Sequence, residues 1–282
     1  MSFEAPQFRT QRVVVVIPAR NEVRTIGNLV ARARAFCPEV VVADGHSSDG
    51  TTDAARTAGA RVLTDPGTGK GSAIRMCIAT IDADVLVFMD ADGSHDPADI
   101  PRLARPVMDG DADLVVGSRF TGGSDELSVN VGQLIRTIGN IAMNIVINWR
   151  WRVGLTDTLN GFRAVRRAAL LGVGLREHRH TIEQEMIMKA LRYGLTVRNV
   201  ATHEYPRAYG ISHINVWKEW PLFVWCVLIN LVPRDRLLAE SPAPAEIARP
   251  PAITPPNPRA GGAREPRLDD TTGTPASVSS AD

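Results

Sequence analysis

Cysteine is scarce in this 282-residue chain. Its three cysteines, Cys37, Cys77 and Cys226, are far apart and odd in number. No disulfide framework or zinc-ligand spacing fits them, and a reducing compartment is the simplest expectation. Charge of one sign is also missing: 32 Lys and Arg against 31 Asp and Glu leave a net charge of +1. That gives no general attraction to nucleic acid or to an anionic surface, so any electrostatic recognition has to be local. No apolar run reaches the roughly 18 residues of a conventional transmembrane helix. The nearest approach, WPLFVWCVLINLV from Trp220 to Val232, would span only about 20 Å as a helix, against roughly 30 Å of hydrocarbon. The opening MSFEAPQFRTQ has no apolar centre, so no secretory signal is expected. No internal repeat is present.

Aromatic residues are absent after Leu238, and residues 239–282 hold nine of the 19 prolines. Such a segment buries too little apolar surface to offset its ordering entropy. The expected organisation is therefore an N-terminal arm over 1–11, one folded domain over 12–236 and a disordered Pro-rich tail over 239–282.

Within the domain, apolar β-branched runs alternate with helical patterns. RVVVVIP (12–18), EVVVAD (39–44), ARVLT (60–64), DVLVFMD (84–90) and DLVVGS (113–118) read as strands, nearly continuous in hydrophobicity as strands buried on both faces should be. Val23, Ile26, Leu29, Val30 and Ala33 mark one face of a first helix, and further helices fit 51–58, 72–81 and 98–108. The alternation implies an α/β fold with a parallel sheet and right-handed crossovers. Polar residues follow every strand: Arg20, Asn21 and Glu22 after the first, Asp44 at the second, Lys70 after the third, Asp90 and Asp92 at the fourth, Arg119 after the fifth. Those loops share the carboxyl edge of the sheet, where open α/β sheets bind ligands.

Two nucleotide-binding patterns fail on required residues. IPARNE after the first strand has no Gly-rich turn for a dinucleotide. DPGTGKGS has Thr64 in place of the first glycine of GxxxxGK[ST], and Gly71 in place of the hydroxyl that would hold magnesium. The pair Asp90 and Asp92 in FMDADGSHDP survives better. Residues two apart in an extended strand point the same way, so both carboxylates can face one divalent ion, magnesium or manganese. A solvated turn is the alternative, since Asp and Gly are common there.

Taken in order, VVVIPARNE, VVVADGHSSDGT, GTGKGSA, FMDADGSHDP, VVGSRF, DTLNGFRAVRR and YPRAYGISHI resemble the inverting family 2 glycosyltransferases of GT-A fold. More narrowly they resemble the dolichyl- or polyprenyl-phosphate mannosyltransferase branch, over about residues 13–217. The resemblance implies that Pro18, Arg20 and Glu22 line the nucleotide pocket, with Asp44 near the base and Lys70 nearby. It implies Asp90 and Asp92 as ligands of Mg2+ or Mn2+ at the donor diphosphate. Arg119, Arg207 and His213 would surround donor or acceptor phosphates, and Arg136 and Asn140 match positions close to the acceptor. The implied partners are a nucleotide-sugar donor, GDP-mannose or UDP-glucose, and a polyprenyl phosphate. The expected location is cytoplasmic, either free or peripheral on the cytoplasmic face of the membrane.

Three positions depart from the family pattern. Ala43 replaces the first aspartate of DDGS, Ser94 a glutamine that helps the metal, and His213 a lysine, which makes the charge there pH-dependent. No QxxRW motif of processive synthases occurs, so one sugar per cycle is expected. A phosphate acceptor is already mostly dianionic at neutral pH, and Arg119, Arg136, Arg163 and Arg207 can orient it as forked donors. A hydroxyl acceptor would need a base, with Asp157 and Glu185 as candidates. Asp157 reads equally as a cap or turn residue, and Glu185 by default as a solvated or ion-paired residue on a helix opened by a box at Thr181 and Gln184. His46, His95 and His178 read as loop residues. Ile135, Ile138, Ile141, Ala142, Ile145 and Trp149 share a helical face beside Arg150 and Arg152. Trp217, Trp220 and Trp225 lie in an amphipathic segment over 214–236. These faces suit a lipid–water interface, or equally packing on the sheet or a dimer. Transfer to a soluble hydroxyl acceptor and an inactive nucleotide-sugar-binding scaffold are the competing functions.

Overall fold

The computed structural model describes residues 11–125, 131–209 and 216–231. The valine-rich runs form β1 (Val13–Ala19), β2 (Val40–Asp44), β3 (Arg61–Thr64), β4 (Val85–Phe88) and β5 (Leu114–Ser118). With β6 (Arg163–Arg166) and β7 (Val197–Ala201) they make a sheet in the order β3-β2-β1-β4-β6-β5-β7. β1 to β5 run in one direction and β7 pairs parallel with β5, while β6 is antiparallel to β4 and β5. The sheet is thus mostly parallel with one reversed strand. RAVR was too short, and too closely flanked by arginine, to register as a strand.

Helices α1 (Val23–Arg34), α2 (Thr51–Thr57), α3 (Lys70–Thr80) and α4 (Ile100–Met108) connect the first five strands. They are followed by α5 (Arg119–Gly122), α6 (Val131–Trp151), α7 (Arg167–Leu171), α8 (Ile182–Arg192) and α9 (Val216–Leu231). Val13, Val15 and Ile17 of β1 pack with Ile26 and Leu29 of α1 and Leu103 of α4. Val14 and Val16 pack on the other face with Ile74 of α3, Ile147 of α6 and Met186 of α8. Successive strand residues face opposite ways, so a strand covered by helices on both sides needs an apolar residue at every position.

From β1 the chain moves outward through β2 to β3, then returns to place β4 on the other side of β1. The crevice beyond the carboxyl ends of β1 and β4 is therefore a topological switch point, the usual ligand position in open sheets. Two boundaries there differ from expectation. β4 stops at Phe88, so Asp90 and Asp92 occupy the turn after the strand instead of its extended end. α3 begins at Lys70 rather than at residue 72, which puts Lys70 in the helix and not in a loop. Gly69 before it has φ 118, and a Cβ there would lie 2.6 Å from the His178 carbonyl oxygen. That same oxygen accepts from the amides of Gly71 and Ser72, at 2.9 and 3.3 Å.

The expected box at the start of α8 does not form. Thr181 Oγ1 donates to Glu177 Oε2 at 2.5 Å, and Gln184 Nε2 turns to Met143 Sδ. Residues 1–10, the tail over 239–282, and the ends of the segment expected over 214–236 lie outside the described residues.

Arg163 opens β6 with its side chain fully buried. Nε and Nη2 donate to the Asn160 carbonyl, and Nη1 donates to the Glu183 carbonyl at 2.8 Å. It ties the turn before β6 to α8, and the expectation that it binds an acceptor phosphate does not survive that burial. Arg163→Ala should lower the unfolding free energy by about 3 kcal/mol, because two buried carbonyls lose a charged donor. Urea denaturation measures this, and a loss under about 0.5 kcal/mol, the scale of an ordinary surface change, would contradict the bracing role.

Candidate active site

Three cation–carboxylate groups line the carboxyl edge of the sheet. In the first, Lys70 Nζ reaches from the start of α3 to Asp90 Oδ1 at 2.5 Å and to Glu183 Oε1 of α8 at 2.6 Å. Burial alone would lower the Lys70 pKa, but the two carboxylates outweigh it and hold the ammonium above its ordinary value. Burial likewise pushes the Asp90 carboxyl up, and Lys70 reverses that and holds it well below the usual carboxylate range. The Asp90 amide donates to His95 Nδ1 at 3.3 Å, and the His95 ring stacks on Phe162 with centroids 4.9 Å apart. His95 is therefore a buried loop residue that supports the turn. Gly161 of NGF completes the fit, since a Cβ there would lie 2.5 Å from Asp90 Oδ2.

In the second group, Ser94 holds the Asp92 carboxylate. Its amide and hydroxyl both donate to Asp92 Oδ1, at 3.0 and 2.7 Å, and Asp92 Oδ2 receives Arg207 Nη2 at 2.9 Å. Arg207 Nη1 stands 4.0 Å from Glu22 Oε1. Backbone bonds strap this segment over the turn, Tyr205 N to Ser94 O at 2.9 Å and Ala208 N to Asp92 O at 3.1 Å. Gly93 allows the approach: its φ is +81, and a Cβ there would meet Ala208 Cβ at 3.2 Å.

The third group forms where β5 ends. Arg119 Nε and Nη2 grip both oxygens of Asp157, at 2.7 and 3.1 Å, while Nη1 faces Glu204 Oε1 at 3.4 Å. Asp157 has no solvent exposure. It also accepts from the amides of Arg119 and Leu159 and from Asn140 Nδ2. Burial raises its pKa, but the Arg119 charge and these donors more than cancel that and leave the carboxyl below its ordinary value. Arg119 is shifted the opposite way, upward, by Asp157 and Glu204 against burial. A carboxylate so held is a poor proton acceptor, which counts against Asp157 as a base. The other candidate is occupied as well, since Glu185 accepts from the amides of Arg176 and Glu177 and pairs with Lys189.

Asp44 ends β2 buried, with Oδ2 accepting from the Ser47 amide at 3.2 Å. Among the described residues its buried Oδ1 has no hydrogen-bond partner. Pro18 and Ala19 of β1 lie in register with Ala43 and Asp44, and Ala43 belongs to the apolar core. Arg20 is exposed beside them. Arg136 falls on α6 with its side chain outside the described residues, and His213 lies outside them altogether. His46 Nε2 pairs with the Asp65 carbonyl and His178 Nδ1 with Ser72 Oγ. Sequence reading passed over Glu183 and Glu204. Their only signal was position, a charged residue on an apolar helix face and one beside YPR.

A mostly parallel sheet with one reversed strand, carrying paired carboxylates at its switch point, is the architecture of the GT-A glycosyltransferases. It superposes on the crystal structure of glucosyl-3-phosphoglycerate synthase from Mycobacterium tuberculosis in complex with Mn2+, UDP and glucosyl-3-phosphoglycerate. The TM-score is 0.61 at 21% identity, covering 79% of this chain and 80% of that one. The family model "Glycosyl transferase family 2" matches residues 14–173, and the chain belongs to that family. It is 31% identical to glycosyltransferase AglJ of Haloferax volcanii over 70% of this chain and 64% of that protein. To the undecaprenyl-phosphate mannosyltransferase of Micrococcus luteus it is 32% identical, over 72% of this chain and 88% of that protein.

The Asp157 pairing has a pH signature. An unfolded aspartate titrates near 3.9, and the folded value lies lower. Its contribution to stability is therefore present above about pH 4 and lost as pH falls through the folded value. Asp157→Asn should cost about 3 kcal/mol at neutral pH, by leaving Arg119 without its carboxylate. The same variant should flatten the acid limb of the stability profile below about pH 4. Urea titrations across that range test it, and parallel limbs for the two proteins would refute the pairing.

Proposed function

We propose that this chain moves one hexose, mannose or glucose, from a nucleotide-diphosphate sugar to a polyprenyl phosphate with inversion. The occupancy of both candidate bases carries the choice of acceptor. A hydroxyl needs a base to take its proton, yet Asp157 is enclosed by the Arg119 fork and Glu185 by backbone amides. A phosphate monoester, with a second pKa of about 6, needs cations instead. Arg119 and Arg207 supply them, part-exposed and able to bond phosphate oxygens as forks. The undecaprenyl-phosphate mannosyltransferase named above supports the same acceptor class.

On the donor side, the unpartnered Asp44 Oδ1 fits an N–H edge of a nucleotide base, which would relieve a buried acceptor worth about 1–3 kcal/mol when left unsatisfied. Asp90 and Asp92 are the residues that would hold Mg2+ or Mn2+. Among the described residues no third His, Cys, Asp or Glu joins them into a metal cage. Two carboxylates alone fit an ion that completes its shell with water and substrate phosphates. Lys70 and Arg207 already place positive charge on both carboxylates, which marks them as cation acceptors. When bound, the ion would neutralise the departing diphosphate. Arg119 and Arg207 orient the acceptor phosphate so that its oxygen attacks the anomeric carbon opposite the diphosphate. The new carbon–oxygen bond forms as the bond to the diphosphate breaks, which inverts that carbon and releases the nucleoside diphosphate.

We assign the outward strip of α6 and α9 to the lipid surface where such an acceptor resides. Trp149 is 79% exposed, Ile145 62% and Trp225 60%, and Arg150 and Arg152 follow at the end of α6. Tryptophan with arginine suits the membrane–water boundary. Among the described residues no helix is long and apolar enough to cross a membrane.

The test is transfer from GDP-mannose and from UDP-glucose, with Mn2+, to farnesyl phosphate and to farnesol, read by product mass spectrometry. Product is expected from farnesyl phosphate alone, with a rate rising through about pH 6 as the second proton leaves. Asp92→Asn should cut turnover at least about a hundredfold with the fold intact. Transfer to farnesol alone would overturn the acceptor, and near-normal turnover of Asp92→Asn would overturn the metal site.

A further inference from the structure

α6 presents three asparagines at four-residue spacing, Asn140, Asn144 and Asn148, along one flank of its buried face, the first two buried and the third part-buried. Each meets the loop between α6 and β6. Asn148 takes both backbone groups of Leu155, its Nδ2 donating to the carbonyl at 2.7 Å and its Oδ1 accepting from the amide at 2.9 Å. Asn144 Nδ2 donates to the Thr156 carbonyl at 2.6 Å, and Asn144 Oδ1 accepts from Thr158 Oγ1 at 2.7 Å. Asn140 Nδ2 donates to Asp157 Oδ1 at 3.0 Å. On the loop's other side Asn199 of β7 accepts from the amides of Thr156 and Asp157 and donates to the Asp157 carbonyl.

We infer that this asparagine ladder is a positioning device for Arg119. Residues 155–158 have little regular structure of their own, so their backbone groups need outside partners. Residues four apart on a helix lie on one face, and a row of amides there can bond successive residues of an extended segment running alongside. The ladder fixes the height of Asp157 along α6. Asp157 in turn fixes the guanidinium plane of Arg119, whose Nε and Nη2 it holds. The edge of Arg119 left to solvent is therefore set from two helix turns away, by residues that touch neither Arg119 nor a substrate. Asn140 takes part through Asp157 and not as a direct acceptor contact. The catalytic meaning rests on the acceptor reading above, while the positioning itself does not.

The experiment follows the Arg119 Nε–H proton by nitrogen-15 NMR of the full chain. The signal is assigned by its loss in Arg119→Lys, and Arg163 Nε–H serves as the internal control. Asn144→Ala removes two hydrogen bonds of the ladder and should speed exchange at Arg119 by about tenfold or more, leaving Arg163 within about twofold. Asn148→Ala, one turn further away, should give the same pattern more weakly and serves if Asn144→Ala does not fold. Equal acceleration at both arginines would show general destabilisation and overturn the proposal, as would no change at Arg119. With farnesyl phosphate the same variants should raise the acceptor KM and leave nucleotide diphosphate binding unchanged. If the wild-type chain transfers nothing to farnesyl phosphate, the acceptor reading fails while the exchange result still decides the ladder.

Discussion

Carboxylates crowd the carboxyl edge of this sheet, and most that leave water find a cation, Asp44 with only the Ser47 amide being the exception. Asp90 and Glu183 share Lys70, Asp92 takes Arg207, and Asp157 takes Arg119. An ionised group moved into a low-dielectric interior without a partner costs more than a domain can spare. These contacts therefore fix architecture as well as chemistry. Lys70 ties α3 to α8 across the end of β4, Arg207 keeps the 205–208 strap over the turn, and Arg119 joins β5 to the loop before β6. Any charged ligand arriving at this edge would compete for the same charges.

Much of this was open to reading in the chain itself. Valine runs covered on both faces leave no ambiguity of period, and β1 to β5 formed within the runs the pattern marked, β4 stopping short of Asp90. The order of the polar residues after those strands followed, because parallel strands bring their carboxyl ends together. The apolar face of α6 was equally plain, though not its direction: packing on the sheet was as good a reading, and Ile138, Ile141, Ile145 and Trp149 are all exposed. What escaped were features set by partners distant in sequence. Arg163 read as a forked donor to an acceptor phosphate until α8 and the Asn160 turn closed around it. Asp157 and Glu185 looked like bases, but a base is defined by its neighbours, and theirs lie 38 residues away at Arg119 and 8 or 9 away at Glu177 and Arg176. RAVR carried too few residues for any period to show.

Glycines mark the close approaches that hold the turn together. Gly161 leaves room for the Asp90 carboxylate and Gly93 for Ala208. Neither contact is visible as a pattern, because one residue sits before an unrecognised strand and the other in a turn where glycine is common anyway.

The first turn of α3 has a further consequence. Its Gly71 and Ser72 amides are already spent on the His178 carbonyl, so the helix start offers no cradle of backbone donors to an arriving anion. An anion at this edge would meet side-chain charges instead. Charge at solvent-facing side chains is screened by ions far more readily than a buried backbone cradle. Ionic strength would therefore become a control on occupancy: the electrolyte around the protein would tune how firmly such an edge holds a polyanion.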